Sequence, residues 1–115
     1  MKFLLTYAST AKAPPTLEQM AAIGKFSEEM SKAGVLLMTG GQQRPTKGTR
    51  LIYAGGKHTV TDGPYAETKE LIDGFALIQV KSKEEALEVG RQFMKIAGEG
   101  EAEVLQVYDP GEMPG

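Results

Sequence analysis

Two stretches with the apolar spacing of amphipathic helices lie among short β-prone runs, and this order of elements restricts the possible folds more than any other feature. The first stretch follows a Pro-Pro pair, where Thr16 is a suitable N-cap and Gln19 stands at the capping-box spacing. Gly34 supplies the left-handed exit that helix ends favour. We therefore expect a helix over residues 16 to 33.

The second stretch begins after Ser82, an N-cap with Glu85 in the capping-box position, and it ends at residues 98–100. The residues expected on its buried face recur at helical spacing. They are Ala86, Val89, Gly90, Phe93, Met94 and Ala97.

The remaining regular segments have the composition of strands. The β-prone runs are residues 3–8, 35–39, 50–54, 57–61, 75–80 and 102–108. Gly40-Gly41 is expected to end the second strand, and Gly55-Gly56 between two β-prone runs predicts a tight hairpin. Residues 66–71 are expected to form a short helical turn.

Without the hairpin, the order is strand, helix, strand, strand, helix, strand, which is the split βαβ pattern. The predicted fold class is therefore α+β: a ferredoxin-like βαββαβ domain with an inserted β-hairpin. Right-handed crossovers place both helices on one face of the sheet. The length of 115 residues suits one domain, expected over residues 1–109, followed by a flexible tail over residues 110–115.

The alternation along the first strand makes both faces of the sheet apolar, because Phe3 and Leu5 point one way while Leu4 and Ala8 point the other. Two helices can cover only one face. Exposing the other face would lose several kcal/mol at roughly 25 cal/mol per Å². We expect a second copy to cover it in a symmetric homodimer. The alternative is that the hairpin and the tail fold over that face.

Composition argues against several classes of partner. A net charge of −2 gives no basic field to attract nucleic acid or an anionic membrane, and no apolar run approaches the ~20 residues of a membrane span. The N-terminus lacks the pattern of a signal peptide, and the absence of cysteine excludes disulfides and thiolate metal sites. A cytoplasmic location is expected. No cofactor fingerprint or metal-ligand spacing is present, so neither a cofactor nor a metal is predicted.

The segment from Asp62 to Glu70 carries the densest set of chemically active groups. Asp62 and Glu67 offer carboxylates that could shift each other's pKa and serve as general acid and base, and they are the candidate catalytic residues. The candidate ligand-binding residues of the segment are Gly63, Pro64, Tyr65 and Lys69. The alternative is purely structural, since an Asp before Gly-Pro commonly bonds its own turn.

Other polar residues outside the segment could extend such a site. Tyr7 on the first strand could reach a pocket between sheet and helices, and Arg50 could hold an anionic ligand, as could Arg44 and Lys47. Core packing is the alternative for Tyr7, and a solvated loop is the alternative for the basic residues. His58 is the single histidine, and a solvated position on the hairpin is expected for it.

The stretch Val60–Glu70, read Val-Thr-Asp-Gly-Pro-Tyr-Ala-Glu-Thr-Lys-Glu, resembles the DGPF motif with Tyr in the Phe position. With matching stretches on both sides, the whole chain resembles the YCII-related family in its DGPF-motif branch. The resemblance implies a dimeric α/β barrel. Asp73 and Ala76 depart from it, because many relatives carry a small residue and a bulky aromatic there.

The resemblance leaves the activity open. More distant YCII-type relatives suggest a histidine-aspartate pair at a cleft, and some relatives occur beside extracytoplasmic-function sigma factors. We therefore expect a protein that binds, and acts on, a small polar or anionic metabolite by acid-base chemistry at the Asp62–Glu70 segment. The alternative is a regulatory module associated with such a sigma factor.

Overall fold

The computed structural model describes residues 1–10, 13–44, 48–62 and 72–112. Its strands are β1 (Lys2–Ser9), β2 (Leu36–Gln43), β3 (Thr49–Ala54), β4 (Lys57–Asp62), β5 (Ile72–Gln79) and β6 (Gly100–Val107), and its helices are α1 (Leu17–Lys32) and α2 (Lys83–Ala97). The mixed α+β class predicted from the sequence is confirmed.

Both helices begin at the predicted caps. The backbone N–H of Gln19 donates to Thr16 Oγ1 at 3.0 Å, and the Thr16 N–H donates to Gln19 Oε1 at 2.8 Å, which completes the capping box of α1. At α2, Ser82 Oγ accepts from the Glu85 N–H, but the Glu85 carboxylate accepts from Lys81 rather than from the cap itself. Neither helix of the described ranges has the length and apolar composition needed to cross a bilayer.

Four strands form an antiparallel sheet in the order β2-β5-β1-β6. Each helix connects two strands that are separated by a third, as in a ferredoxin-like domain. Strands β3 and β4 form a separate two-stranded sheet. The inserted hairpin is thus confirmed, while the dimeric barrel stays a prediction.

The hairpin turns where the sequence predicts it. Gly55 and Gly56 have φ values of 57° and 76°, in the left-handed region that favours glycine. Two successive residues of this kind form the turn that best matches the twist of the flanking strands. The helical turn predicted for residues 66–71 lies outside the described residues.

The expected end of the second strand at Gly40-Gly41 is wrong, because β2 continues to Gln43. Gly40 pairs with Phe75 of β5, and a Cβ at Gly40 would lie 3.0 Å from the edge of that ring. The glycine therefore provides space for an aromatic neighbour instead of breaking the strand.

The fully packed core is small and lies between the sheet and α2. Its buried apolar residues are Phe3, Leu5, Ile78, Val80 and Ala86. Helix α2 buries Ala86 and Gly90, whereas α1 buries none of its residues. The two helices therefore contribute unequally to the core.

The ends of the chain meet beside β1. Lys2 Nζ lies 2.8 Å from Asp109 Oδ1, and the Asp109 N–H donates to Glu112 Oε1 at 3.0 Å. The hydrogen bond from Lys2, followed by the one with Glu112, lowers the pKa of the Asp109 carboxyl. Three of the six residues assigned to the tail, residues 113–115, lie outside the described ranges, and its flexibility stays a prediction.

Candidate functional site: a cavity under the first helix

A cavity of about 730 Å³ lies between the helices and the sheet. Small-molecule sites commonly have volumes of ~300–1,000 Å³, so the space is large enough for a metabolite. Its wall on the helix side includes Ile23, Phe26 and Met30 of α1, which are half-buried although they form the inner stripe of the helix. The space exists because α1 does not bury this stripe against the sheet.

Several polar groups of the cavity wall lie at one end. Strand β1 and helix α2 end there, and β5 begins there, so Tyr7, Ser9, Asp73 and Glu99 come together. Gln19 of the first turns of α1 joins them. The opposite end is apolar and is formed by Ile23, Phe26, Met30, Leu36, Ile78 and Val89. The cavity is thus amphipathic along its length.

Tyr7 has a defined structural partner within this polar end. Its hydroxyl donates to the carbonyl oxygens of Gly98 and Glu99, at 2.8 and 3.1 Å, and its ring meets Phe93 edge-on with centroids 5.2 Å apart. A Cβ at Gly100 would lie 2.6 Å from the Tyr7 ring, so the ring position requires glycine there. Tyr7 lines the cavity and at the same time ties β1 to the end of α2.

The most unusual group of the cavity wall is the carboxylate of Asp73. The residue is only 7 % exposed, and its Oδ1 lies 3.1 Å from Nε of Arg44. Nη2 of Arg44 also donates to the carbonyl of Ser9 at 2.6 Å, which fixes the guanidinium at the end of β1. Burial of a carboxylate is tolerated because an arginine lies beside it.

The Arg44–Asp73 pair keeps unused hydrogen-bonding capacity. Among the described residues, both Arg44 Nε and Asp73 Oδ1 are buried without a hydrogen-bond partner, because their contact has the distance but not the angle of a hydrogen bond. Such groups are rare in folded proteins and call for a specific explanation. Asp73 lines the cavity, so this incompletely bonded ion pair lies at the polar end of its wall.

The buried pairing of Asp73 with Arg44 is not among the predictions from the sequence, in which Arg44 is either a ligand for an anion or a residue of a solvated loop. Asp73 was treated as the residue before a strand and as a departure from its relatives. The signal that could have revealed it is an acidic residue inside a β-prone run that continues to Val80. Arg44 gave no such signal, because its partner is far away in the sequence.

The predicted site residues fall into separate places. Tyr7 lines the cavity, whereas Arg50 and Asp62 lie on the hairpin and are exposed. Asp62 Oδ1 accepts a hydrogen bond from Thr49 Oγ1 at 2.8 Å, which links β3 to β4. Gly63, Pro64, Tyr65, Glu67 and Lys69 lie outside the described residues.

His58 lies on an exposed part of the hairpin. The His58 ring lies against Tyr53 across the hairpin, with centroids 4.6 Å apart, and the residue is exposed. Within the described ranges, no three potential metal ligands cluster.

Comparison with known proteins supports the resemblance seen in the motif. Over 72 residues, 60 % of this chain, the sequence is 40 % identical to an uncharacterized protein of Rhizobium meliloti (strain 1021). The matched region spans 58 % of that relative's length. Membership of the DGPF-motif branch stays a prediction. Residues 1–109 match the model of the YCII-related domain, and the chain belongs to that family.

Proposed function

We propose that this protein binds a small organic molecule with an apolar body and a polar or anionic head group in the cavity under α1. The observation that carries this proposal is the buried carboxylate of Asp73, paired with Arg44, in the wall of a largely apolar cavity. Pockets that combine apolar walls with a few fixed polar groups are typical of small-molecule sites. Carboxylic acids and hydroxy acids are the ligand class that fits best.

The head group follows from this charged pair. Asp73 lines the cavity and its carboxylate can accept from a hydroxyl, while the guanidinium of Arg44 beside it favours a negatively charged group nearby. A hydroxy acid offers both partners at once. Its hydrocarbon part would lie against Ile23, Phe26 and Met30.

The proposal of acid-base chemistry adds the segment that joins β4 to β5. In this proposal Asp62 and Glu67 transfer protons to or from the bound molecule. The support is the sequence pattern together with chain order, because the segment leads directly into Ile72 and Asp73. The cytoplasmic location likewise stays a prediction.

The binding proposal is tested by thermal shift and calorimetry with carboxylic and hydroxy acids of graded hydrocarbon size. We expect acids that fill the apolar end to raise the melting temperature. Asp73→Asn keeps the shape of the side chain but removes its charge, and it should weaken binding by about tenfold, equivalent to ~1.4 kcal/mol. Asp62→Asn is the control on the hairpin and should leave affinity unchanged while abolishing any turnover.

Ala76→Leu provides a second test, because Ala76 lines the cavity and a larger side chain occupies part of it. Binding that survives this substitution would place the ligand elsewhere. If no acid raises the melting temperature, the binding proposal is wrong. The sigma-factor module is then the better hypothesis, to be tested by co-purification from the native cell.

We also propose that the chain forms a homodimer through the face of the sheet opposite the helices. One row of this face crosses all four strands in register, and its members are Met38, Leu77, Leu4 and Leu105. Met38 is 59 % exposed and Leu105 is 50 % exposed, so both edges of the row are open to solvent. A second copy would remove this apolar surface from water.

A further inference from the structure

Helix α1 is tied firmly to the sheet at its C-terminal end. The Val35 N–H donates to the Met30 carbonyl at 2.9 Å, and the Val35 carbonyl accepts from the Gln79 N–H at 2.8 Å. Val35 and Leu36, which follow the helix, also pack against the buried core. The chain that leaves α1 is therefore held directly by the sheet, and it fixes the position of the last turn.

The N-terminal end of α1 is held much less firmly. Leu17 is 85 % exposed and Met20 is 56 % exposed, so the first turns bury little apolar surface. Gln19 Nε2 donates to the carbonyl of Ala97 at 3.4 Å, which is beyond the usual range for such a bond. Within the described ranges, this long hydrogen bond is the polar tie between the start of α1 and the rest of the fold.

The Gln19 side chain connects three parts of the molecule. Its Oε1 accepts from the Thr16 N–H at 2.8 Å in the capping box, and its Nε2 donates to Ala97 at the end of α2. A Cβ at Gly98 would lie 3.5 Å from the same Nε2 atom, so the amide lies over the last residues of α2. Gln19 also lines the polar end of the cavity. One amide thus contacts the cap of α1, the end of α2 and the space between them.

The exit of α1 has the properties of a hinge. Gly34 has a φ of 77°, and a Cβ there would meet nothing within 4 Å. A glycine with free space around it can change its backbone angles at little cost. Because α1 is about 24 Å long, a tilt of about 15° at this point moves its start by about 6 Å.

We propose that α1 is a lid that tilts about Gly34, and that the Gln19 side chain latches its start onto the end of α2. The inner stripe of α1 is only half-buried over the cavity, so a bound molecule supplies the apolar surface that the stripe lacks. Binding therefore favours the closed lid, which shields the bound molecule from water. This inference rests on the proposed function, and it adds how the site opens and closes.

Gln19→Glu separates the latch from the cap. Glutamate at this position keeps an acceptor for the Thr16 N–H, as in the usual capping box, but it has no amide hydrogen for the Ala97 carbonyl. Its charge is also repelled by the negative end of α2. Gln92→Glu is the matched control, because the Gln92 amide donates to Glu88 at the same distance of 3.4 Å on the exposed surface of α2.

Distances between pairs of spin labels follow the two ends of α1. The absence of cysteine allows two introduced thiols to be labelled in each variant. Leu17→Cys with Lys95→Cys forms the latch pair, and Ser31→Cys with Glu84→Cys forms the hinge pair, all at exposed positions. Labelled chains are diluted with unlabelled chains, so that the measured distances lie within one chain.

We expect Gln19→Glu to raise the fraction of long latch-pair distances about fivefold and to leave the hinge pair unchanged. Gln92→Glu should change neither pair. With Gln19 present, saturating α-hydroxyoctanoate, a hydroxy acid with an apolar chain, should narrow the latch-pair distribution towards its short distances.

The other outcomes reject the lid in different ways. Latch-pair distances that do not change in Gln19→Glu would overturn the lid, and equal lengthening of both pairs would mean that α1 detaches as a whole. If α-hydroxyoctanoate raises the melting temperature but leaves the latch pair unchanged, the lid is wrong while the binding proposal stands. If neither this acid nor any other raises the melting temperature, the binding proposal and the inference that rests on it are both rejected.

Discussion

The two helices lie on the same side of the sheet and begin at equally clear caps, yet only α2 buries residues against the sheet. The inner face of α2 contains Ala86 and Gly90, both buried, and a Cβ at Gly90 would lie 3.6 Å from Leu5. The inner face of α1 contains Ile23, Phe26 and Met30, which border the cavity. Small residues allow a helix to approach its sheet, and the distance between packed elements depends on the side chains at the contact.

This difference in packing assigns stability to the α2 side of the molecule and ligand binding to the α1 side. On the α2 side, close packing supplies the core, whereas on the α1 side apolar surface is only half-buried and is available to a ligand. A molecule that binds under α1 would therefore stabilise the fold by mass action. Three pairs of substitutions test this contrast, from the largest expected effect to the smallest.

Replacing an isoleucine by alanine should destabilise the protein much more in the core beside α2 than on the inner face of α1. Ile78 is 1 % exposed in the core, and Ile78→Ala should lower the free energy of unfolding by about 3 kcal/mol. Ile23→Ala should lower it by about 1 kcal/mol or less, because that side chain is only half-buried. Urea unfolding measures the free energy of unfolding of both variants. Equal losses would contradict the proposal that α2 is packed more closely than α1.

Glycines at the middle of each helix provide the second pair. Gly90→Leu should destabilise the protein by about 2 kcal/mol, because a Cβ there would already contact Leu5 at 3.6 Å and a larger side chain requires the surrounding core to shift. Gly24→Leu meets nothing within 4 Å of its Cβ and should stabilise the protein by up to about 1 kcal/mol through helix propensity. If Gly90→Leu leaves the melting temperature unchanged, α2 is packed no more closely than α1.

The caps provide the third pair. Thr16→Ala should cost about 1 kcal/mol, and because α1 buries no residue, the loss should appear as local opening. Amide exchange in α1 should then rise about fivefold while α2 keeps its protection. Thr16→Ser keeps the capping hydroxyl and serves as the control, and Ser82→Ala should reduce global stability instead. If amide exchange in Thr16→Ala rises equally in both helices, α1 does not open independently of α2.

The elements of this fold could be predicted because their signals are local. A cap and its partner lie three residues apart, and the hairpin is specified by two adjacent glycines between alternating runs. The error at Gly40 has the opposite cause. Its glycine is required by Phe75, which comes beside it only when β2 and β5 pair.

The candidate site was even harder to predict, because it depends on contacts between residues that are far apart in the sequence. Tyr7 was predicted to reach a pocket, because strand alternation places it on the helix side. Its hydrogen bond to Gly98 joins residues 91 positions apart, and nothing local to either residue indicates it. Arg50 and Asp62, the predicted groups on the hairpin, do not line the cavity.

The sequence by itself determined the order of elements, the caps, the tight hairpin and the excess of apolar surface on the sheet. Only the tertiary structure decided that α1 leaves a cavity beneath it and that Arg44 and Asp73 meet at one end of that cavity. The physical reason is the separation along the sequence between the residues that interact. Caps and turns depend on neighbours along the chain, whereas a buried ion pair and a cavity depend on how distant segments pack.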